Sequence, residues 1–245
     1  PRYGNSEDVI GEYHAQNSHM FKVCTKVDNL EVVSLSSEKR IFNSVINSIR
    51  ATGVNYIETL YLHQNEMEII SDENIITSLK KLKDSGLVKK IGVSIYNAEE
   101  CNFTLESNVY DVIQLPINIL DSSIYSNLIS QNTIDKEIIG RSIFLQGILF
   151  NRGGIKNKIK QSKEVFEYLL KLDNLANEFN IDLITMACSF VFSLTKIDGI
   201  IVGTSVEKNL MDIINASKFK ITKELHDKLI MLSCRYKEWG NPRNW

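Results

Sequence analysis

Along the chain the spacing of apolar residues alternates between two periods. Phe21 to Thr25 is a short apolar run, the mark of a buried strand. Ile41, Phe42, Val45, Ile46 and Ile49 then fall on one helical face, and Gly53 follows as a stop. Tyr56 to Leu62 reads as strand. Ile75, Ile76, Leu79 and Leu82 form the next helical stripe, started by Ser71 or Asp72 and ended by Gly86. Val88 to Val93, Val109 to Leu115 and Ile138 to Leu145 read as strands. From Ser162 a long helix carries Val165, Phe166, Leu169, Leu172 and Leu175, and a second carries Ala187, Phe190, Val191 and Leu194. Gly199 to Val202 is the last strand. Ser205 is positioned to cap a helix whose apolar face is Val206, Leu210, Ile213 and Ile214, and Thr222 one with Leu225, Leu229 and Leu232.

This β-then-α rhythm predicts an α/β fold, with a parallel sheet and helical crossovers. A doubly wound sheet and a TIM barrel both have it. No GxGxxG follows any strand, which weighs against the first. Six strands are visible where a closed (β/α)8 barrel has eight. A TIM barrel with six of its strands in view is the favoured expectation, with the doubly wound sheet still open.

Composition narrows the function classes. The 245 residues are 43% hydrophobic and 24% charged, ordinary for a globular domain. Net charge is −2, from 28 basic and 30 acidic side chains, which points to neither nucleic acid nor an anionic membrane. The basic run Lys156 to Lys160 reads as a solvated loop. Cys24, Cys101, Cys188 and Cys234 form no CxxC pair and have no histidine at ligand spacing, so no metal site is expected. Cys24 in an apolar run and Cys188 on an apolar stripe read as core thiols, and a reducing cytoplasm is the simplest compartment. There is no apolar run of ~20 residues.

Catalytic groups of a barrel sit at the carboxyl ends of its strands. Lys26 ends the run Val23-Cys24-Thr25, His63 ends Leu60-Tyr61-Leu62, and Tyr3 stands ahead of a short predicted helix. Ser94 and Gln114 close or nearly close later strands. Each has a plain reading: a solvated lysine, a hydrogen-bonded structural histidine, a Tyr-Gly turn, a strand-end hydroxyl, a buried amide. Together a phenol, an ammonium and an imidazole make a proton-transfer set.

These residues resemble the aldo-keto reductase family. Tyr3-Gly4-Asn5-Ser6-Glu7 with Ile10-Gly11 is similar to the segment bearing the family's catalytic tyrosine. Thr25-Lys26 resembles its lysine and Leu62-His63 its histidine. Ile91-Gly92-Val93-Ser94, Val112-Ile113-Gln114 with Asn118, and Ile201-Val202-Gly203-Thr204-Ser205 resemble three later strand ends. The match runs from Pro1 to the C-terminus, which implies one barrel domain over residues 1–245. Arg141 to Gly147 resembles a bacterial branch of the family.

The resemblance implies hydride transfer between NADP or NAD and a small carbonyl or alcohol substrate. In it Tyr3 is the general acid, Lys26 lowers its pKa, and His63 hydrogen-bonds the carbonyl. Ser94 and Gln114 align with groups that hold the nicotinamide carboxamide, although Ile95 stands where the family usually has Asn. Arg141 aligns with a stacking aromatic; a surface salt bridge is its rival reading. Gly203, Thr204 and Ser205 align with the phosphate-binding turn, and Lys208, Asn209 and Asp212 with residues near the adenosine. Members specific for NADP often carry Lys and Arg here, so the cofactor preference stays open. The family's aspartate partner of the lysine, and two strands, would precede Pro1. A non-catalytic nucleotide- or partner-binding barrel of the same fold is the alternative. The tail, with Trp239 and Trp245, either lines a pocket or packs down.

Overall fold

The computed structural model describes residues 4–18, 20–32, 35–131, 135–241 and 244–245. Tyr3 lies outside them. Among the described residues six parallel strands alternate with helices, and neighbours in the sheet are neighbours in the chain. The chain divides into two compact units, Pro1–Gln114 with Asp135–Glu137, and Leu115–Ile134 with Ile138–Trp245.

In the first unit α1 (Ser6–Gln16) precedes β1 (Cys24–Val27), followed by α2 (Leu35–Thr52), β2 (Ile57–Leu62), α3 (Met67–Ile70), α4 (Glu73–Asp84), β3 (Val88–Ser94), α5 (Ala98–Glu106) and most of β4 (Val112–Pro116). Helix α1 sits close on α2 because Gly11 has no side chain: a Cβ there would collide with the Ala51 carbonyl. His14 ties the two helix ends together. Its Nδ1 lies 2.7 Å from the Thr52 carbonyl, and its Nε2 accepts from the Phe21 N–H at 2.8 Å. The donor role thus falls to Nδ1 in the neutral ring. Asp72, not Ser71, caps α4, accepting from the N–H groups of Asn74 and Ile75 at 2.9 Å. Ile75, Leu79 and Leu82 are buried. Gly53 and Gly86 take positive φ at their helix ends, as the stop signals predict.

Strand β1 begins later than its apolar run suggests. Phe21 is 48% exposed and Cys24 is exposed, so the expectation of a core thiol at Cys24 is wrong. Among the described residues β1 pairs only with β2, and its first residues meet no second neighbour that would cover them. Cys188 does match its expectation: it is fully buried, and desolvation pushes its thiol up to about 12. Phe42, placed on the apolar face of α2, is exposed, while Ile41 and Val45 carry the buried stripe.

The second unit holds the end of β4, α6 (Ser123–Ile129), most of β5 (Glu137–Arg141), α7 (Ile155–Lys158), α8 (Ser162–Glu178), α9 (Leu183–Phe192), β6 (Gly199–Ile200), α10 (Glu207–Ala216) and α11 (Lys223–Ser233). Strand β5 is shorter than the apolar run from Ile138, which turns at Ser142 (φ +60°) into a 3₁₀ turn, Leu145–Gly147. The basic run expected in a loop includes α7. Val165, Leu169 and Leu172 of α8 are buried, as is α9 from Met186 to Val191. Thr222 caps α11, accepting from the Leu225 N–H. Ser205 caps nothing: α10 opens at Glu207, and Thr204 Oγ1 accepts from the Val206 N–H at 3.1 Å instead. The apolar face expected on α10 is largely in solvent, with Val206, Leu210 and Ile214 exposed and Ile213 buried.

The tail packs down. Trp239 is 1% exposed, its ring 5.6 Å from that of Tyr168, and its carbonyl accepts from Trp245 Nε1. Lys237 Nζ lies over the Tyr168 ring and donates to the Arg235 carbonyl, and burial depresses its pKa. Among the described residues no single helix is long and apolar enough to cross a membrane.

Candidate active site

Strand register builds the site in the first unit. Lys26 stands opposite Tyr61, Tyr61 opposite Gly92, and Gly92 opposite Val112. Side chains two residues apart on a strand share a face. One pleat further on that face come Asp28, His63, Ser94 and Gln114, with Ser94 paired to Gln114. The predicted residues of this unit therefore share one face at the carboxyl ends of β1 to β4.

Lys26 and His63 line one cavity of about 130 Å³, with Glu7, Thr25, Asp28 and the apolar Ile10. Lys26 Nζ lies 5.5 Å from the centre of the Tyr61 ring. Tyr61 is 4% exposed, and desolvation above all keeps its phenol well over the usual value. It is a neutral neighbour of the lysine, not a phenolate. His63 Nδ1 is 3.9 Å from Asp28 Oδ2.

Three polar clamps hold the strand ends. Glu7 Oε1 accepts from Thr25 Oγ1 at 2.7 Å and from Ser48 Oγ at 2.8 Å, joining α1 and α2 to the strand that carries Lys26. The Gln64 amide accepts from the Leu30 N–H and donates to its carbonyl, tying the loop after β1 to the loop after β2. Buried Glu100 accepts from Asn65 and Asn97 through Oε1 and from the Tyr96 N–H through Oε2. That carboxylate links the loop after His63 to the loop after Ser94. Sequence reasoning missed the roles of Glu7, Gln64 and Glu100, and the place of Asp28 beside His63. The spacing Asn97-x-x-Glu100 before a helix is a capping-box pattern and was a readable signal. Asp28, two residues after Lys26, was readable as sharing its face. Nothing local marks Glu7 as a clamp.

Gln114 is 2% exposed; its amide sits against the Tyr61 phenol, and Nε2 makes no hydrogen bond of good geometry among the described residues. A buried amide donor so weakly held costs up to about 1–3 kcal/mol and suits an acceptor brought by a ligand. Ser94 is buried beside it, and Ile95 is fully buried.

In the second unit a cavity of about 650 Å³ is lined by Gly203, Thr204 and Asn209, with Phe144, Phe150, Ile201 and Ile213 among its apolar walls. Asn209 Nδ2 is 3.4 Å from Thr204 Oγ1. No side chain obstructs the approach at Gly203. Ser205, Lys208 and Asp212 do not line this cavity, and neither does Arg141, half-buried at the end of β5 with Nη1 3.4 Å from Ser142 Oγ. Among the described residues no group of three or more His, Cys, Asp or Glu side chains could hold a metal ion.

Comparison with known proteins places the chain. The model of the aldo/keto reductase family matches residues 1–232. The chain belongs to this family. It is 25% identical over 125 residues to the aldo-keto reductase YhdN of Bacillus subtilis (strain 168). That match covers 49% of this chain and 38% of the relative, so the chain spans well under half of that curated protein in the aligned region. Among solved structures it is similar to the aldo-keto reductase AKR11C1 from Bacillus halodurans, with a TM-score of 0.73 to the apo form and 0.74 to the holo form. Identity there is 18%, over 96% of this chain and 80% of that one. The glycerol dehydrogenase AKR11B4 from Gluconobacter oxydans gives a TM-score of 0.71 at 19% identity, over 93% and 76% of the two chains. At such identities the likeness speaks for the fold, an α/β barrel of the TIM type, and for nothing finer.

Proposed function

We propose that the protein is an NAD(P)(H)-dependent oxidoreductase that interconverts a small carbonyl compound and its alcohol. The observation that carries this reading is the common cavity of Lys26 and His63 at the carboxyl ends of β1 and β2. Tyr3 is assigned by family likeness as the general acid and base. A free phenol, with a pKa of about 10, gives and takes protons poorly near neutrality. The Lys26 ammonium favours the phenolate and brings the tyrosine into range. His63 donates a hydrogen bond to the carbonyl oxygen and orients it.

Within each unit the residues present suit one part of a dinucleotide. The weakly held Gln114 amide and the Ser94 hydroxyl suit a carboxamide, and Arg141 offers a flat cation to stack. Gly203, Thr204 and Ser205 before α10 suit phosphate, and Lys208, Asn209 and Asp212 the adenosine end. When bound, the nicotinamide supplies or accepts the hydride. Lys208 is exposed on α10, and a contact from it to a 2′-phosphate would favour NADP; the preference between NADP and NAD is open to the titration below. The absence of a basic excess suits a small-molecule substrate, and a reducing cytoplasm suits the reduced, buried Cys101 and Cys188.

Titration with NADPH and NADH, followed by a carbonyl panel, tests the proposal. The expected result is saturable binding and turnover that Tyr3→Phe and Lys26→Met abolish. Binding without turnover would favour a nucleotide-binding module of the same fold. Failure to bind either dinucleotide would remove the oxidoreductase reading.

A further inference from the structure

We propose that Glu100 is a positioning residue: through Asn65 and the Tyr96 N–H it fixes the separation of His63 and Ser94, and so the gap between the substrate carbon and the nicotinamide ring. The proposal rests on the reading of His63 as the group that meets the carbonyl and of Ser94 as one that holds the carboxamide. The family resemblance assigns nothing to Glu100 or Asn65.

The sheet itself does not hold these two residues together. The paired register of β2 and β3 ends at Leu62 opposite Val93, and His63 and Ser94 are the next residues on each strand. From there the backbones bond outward. The His63 N–H donates to the Val27 carbonyl of β1, and the Ile95 N–H to the Gln114 carbonyl of β4, each at 2.9 Å. Asn65 stands two residues past His63, and Tyr96 two past Ser94. Glu100 joins those two positions. Its Oε1 accepts from Asn65 Nδ2 and its Oε2 from the Tyr96 N–H, both at 2.6 Å.

The link to Asn65 is more than a helix cap. Asn97 caps α5, accepting from the Glu100 N–H at 2.9 Å and donating to Oε1 at 2.7 Å. That reciprocal pair serves the start of the helix without Asn65. The bond to Asn65 reaches 35 residues back along the chain, to the loop after the other strand. Glu100 and Asn65 are 5% and 4% exposed, so water competes little for it. A bond to a charged acceptor is among the stronger hydrogen bonds, which suits it to hold two loops in register.

The test uses the whole chain with NADPH and 4-nitrobenzaldehyde in single turnover, and NADPH deuterated at the transferring position as a second probe. Asn65→Leu removes the link between the loops and leaves the cap of α5. The rate should fall by about tenfold, because a misplacement of ~1 Å can cost about a hundredfold. NADPH affinity, read by fluorescence, and hydrogen exchange at the Glu100 amide should stay as in the parent. The isotope effect should become more temperature-dependent, which loss of stability alone does not produce. Glu100→Gln combined with Asn65→Asp reverses donor and acceptor: the glutamine amide then donates across the loops while its oxygen accepts from the Tyr96 N–H. This pair should recover most of the rate. A parent-like rate and isotope effect in Asn65→Leu overturns the proposal. Should that variant not fold, the paired variant decides: slow exchange at Tyr96 restored without the rate overturns it equally. A parent protein that reduces no carbonyl marks the failure as that of the oxidoreductase reading, whereas a loss confined to the variants does not.

Discussion

Gly92 on β3 and Tyr61 on β2 occupy adjoining space so closely that the glycine is a requirement of the tyrosine. A Cβ at residue 92 would stand 2.6 Å from two carbons of the Tyr61 ring and 3.2 Å from Thr59 Cγ2. The ring fills the place a side chain would take, and the Lys26 ammonium lies 5.5 Å from its centre. A missing methyl on one strand thus sets where a cation stands two strands away.

Gly92→Ala should therefore displace Tyr61 and lower stability by about 1–3 kcal/mol, the usual penalty for overpacking a core. Urea unfolding reads it. A midpoint equal to that of the parent would mean that the ring moves aside at no cost, and that Tyr61 supports nothing.

Glu100→Gln keeps the shape of the clamp between the loops after β2 and β3 and removes its charge. Hydrogen bonds to a charged group are worth about 1.5–3 kcal/mol, and the variant should lose a sizeable part of that. Hydrogen exchange should quicken at the Tyr96 amide, which donates to Glu100. Protection at Tyr96 equal to the parent's would show that the Asn97 cap holds the loop unaided.

Asn209→Ala removes an amide from the lining of the second unit's cavity. Loss of one hydrogen bond of about 1 kcal/mol weakens binding several-fold, and both dinucleotides should suffer alike. Lys208→Ala should weaken NADPH more than NADH. Fluorescence titration of both cofactors checks the pair of variants, and equal losses for Lys208→Ala would take that lysine away from the 2′-phosphate.

Asp182 gives an acid-sensitive contribution to stability. Burial pushes its pKa up, but hydrogen bonds from the Thr185 hydroxyl and N–H outweigh this and the net shift is downward. A depressed carboxyl stabilises the fold above its unfolded pKa of about 3.9, and the contribution disappears as pH falls through the lower folded value. Asp182→Asn should then cost most near neutrality, with the cost shrinking as pH falls from about 4 and vanishing only below the lowered folded value. An equal cost at pH 7 and pH 3 would mean that the cap acts by shape alone.

Much of the architecture was legible because buried parallel strands read as unbroken apolar runs, while helices repeat every three to four residues. All six strands are found where such runs lie. Their edges were less legible. Phe21 and Cys24 look like core by composition, yet both are exposed, since burial depends on having a neighbour on each side. Val206, Leu210 and Ile214 have helical spacing on α10, and that spacing says only that they share a side, not that anything covers it. At the start of α10 two hydroxyls compete in the sequence, and the path of the chain gives the contact to Thr204.

The candidate site divides in the same way. Local sequence placed Lys26, His63, Ser94 and Gln114 at strand ends, because a change of period marks where each strand stops. It also located the cap at Thr222 and narrowed that of α4 to Ser71 or Asp72; the capped N–H groups lie within three residues of Thr222 and Asp72. It was silent on Asp28 facing His63, on Glu7 reaching Ser48 across 41 residues, and on Glu100 reaching Asn65 across 35. Such pairs are made by strand register and helix packing. Those follow from how whole faces bury against one another, a balance summed over many residues that no short stretch of sequence contains.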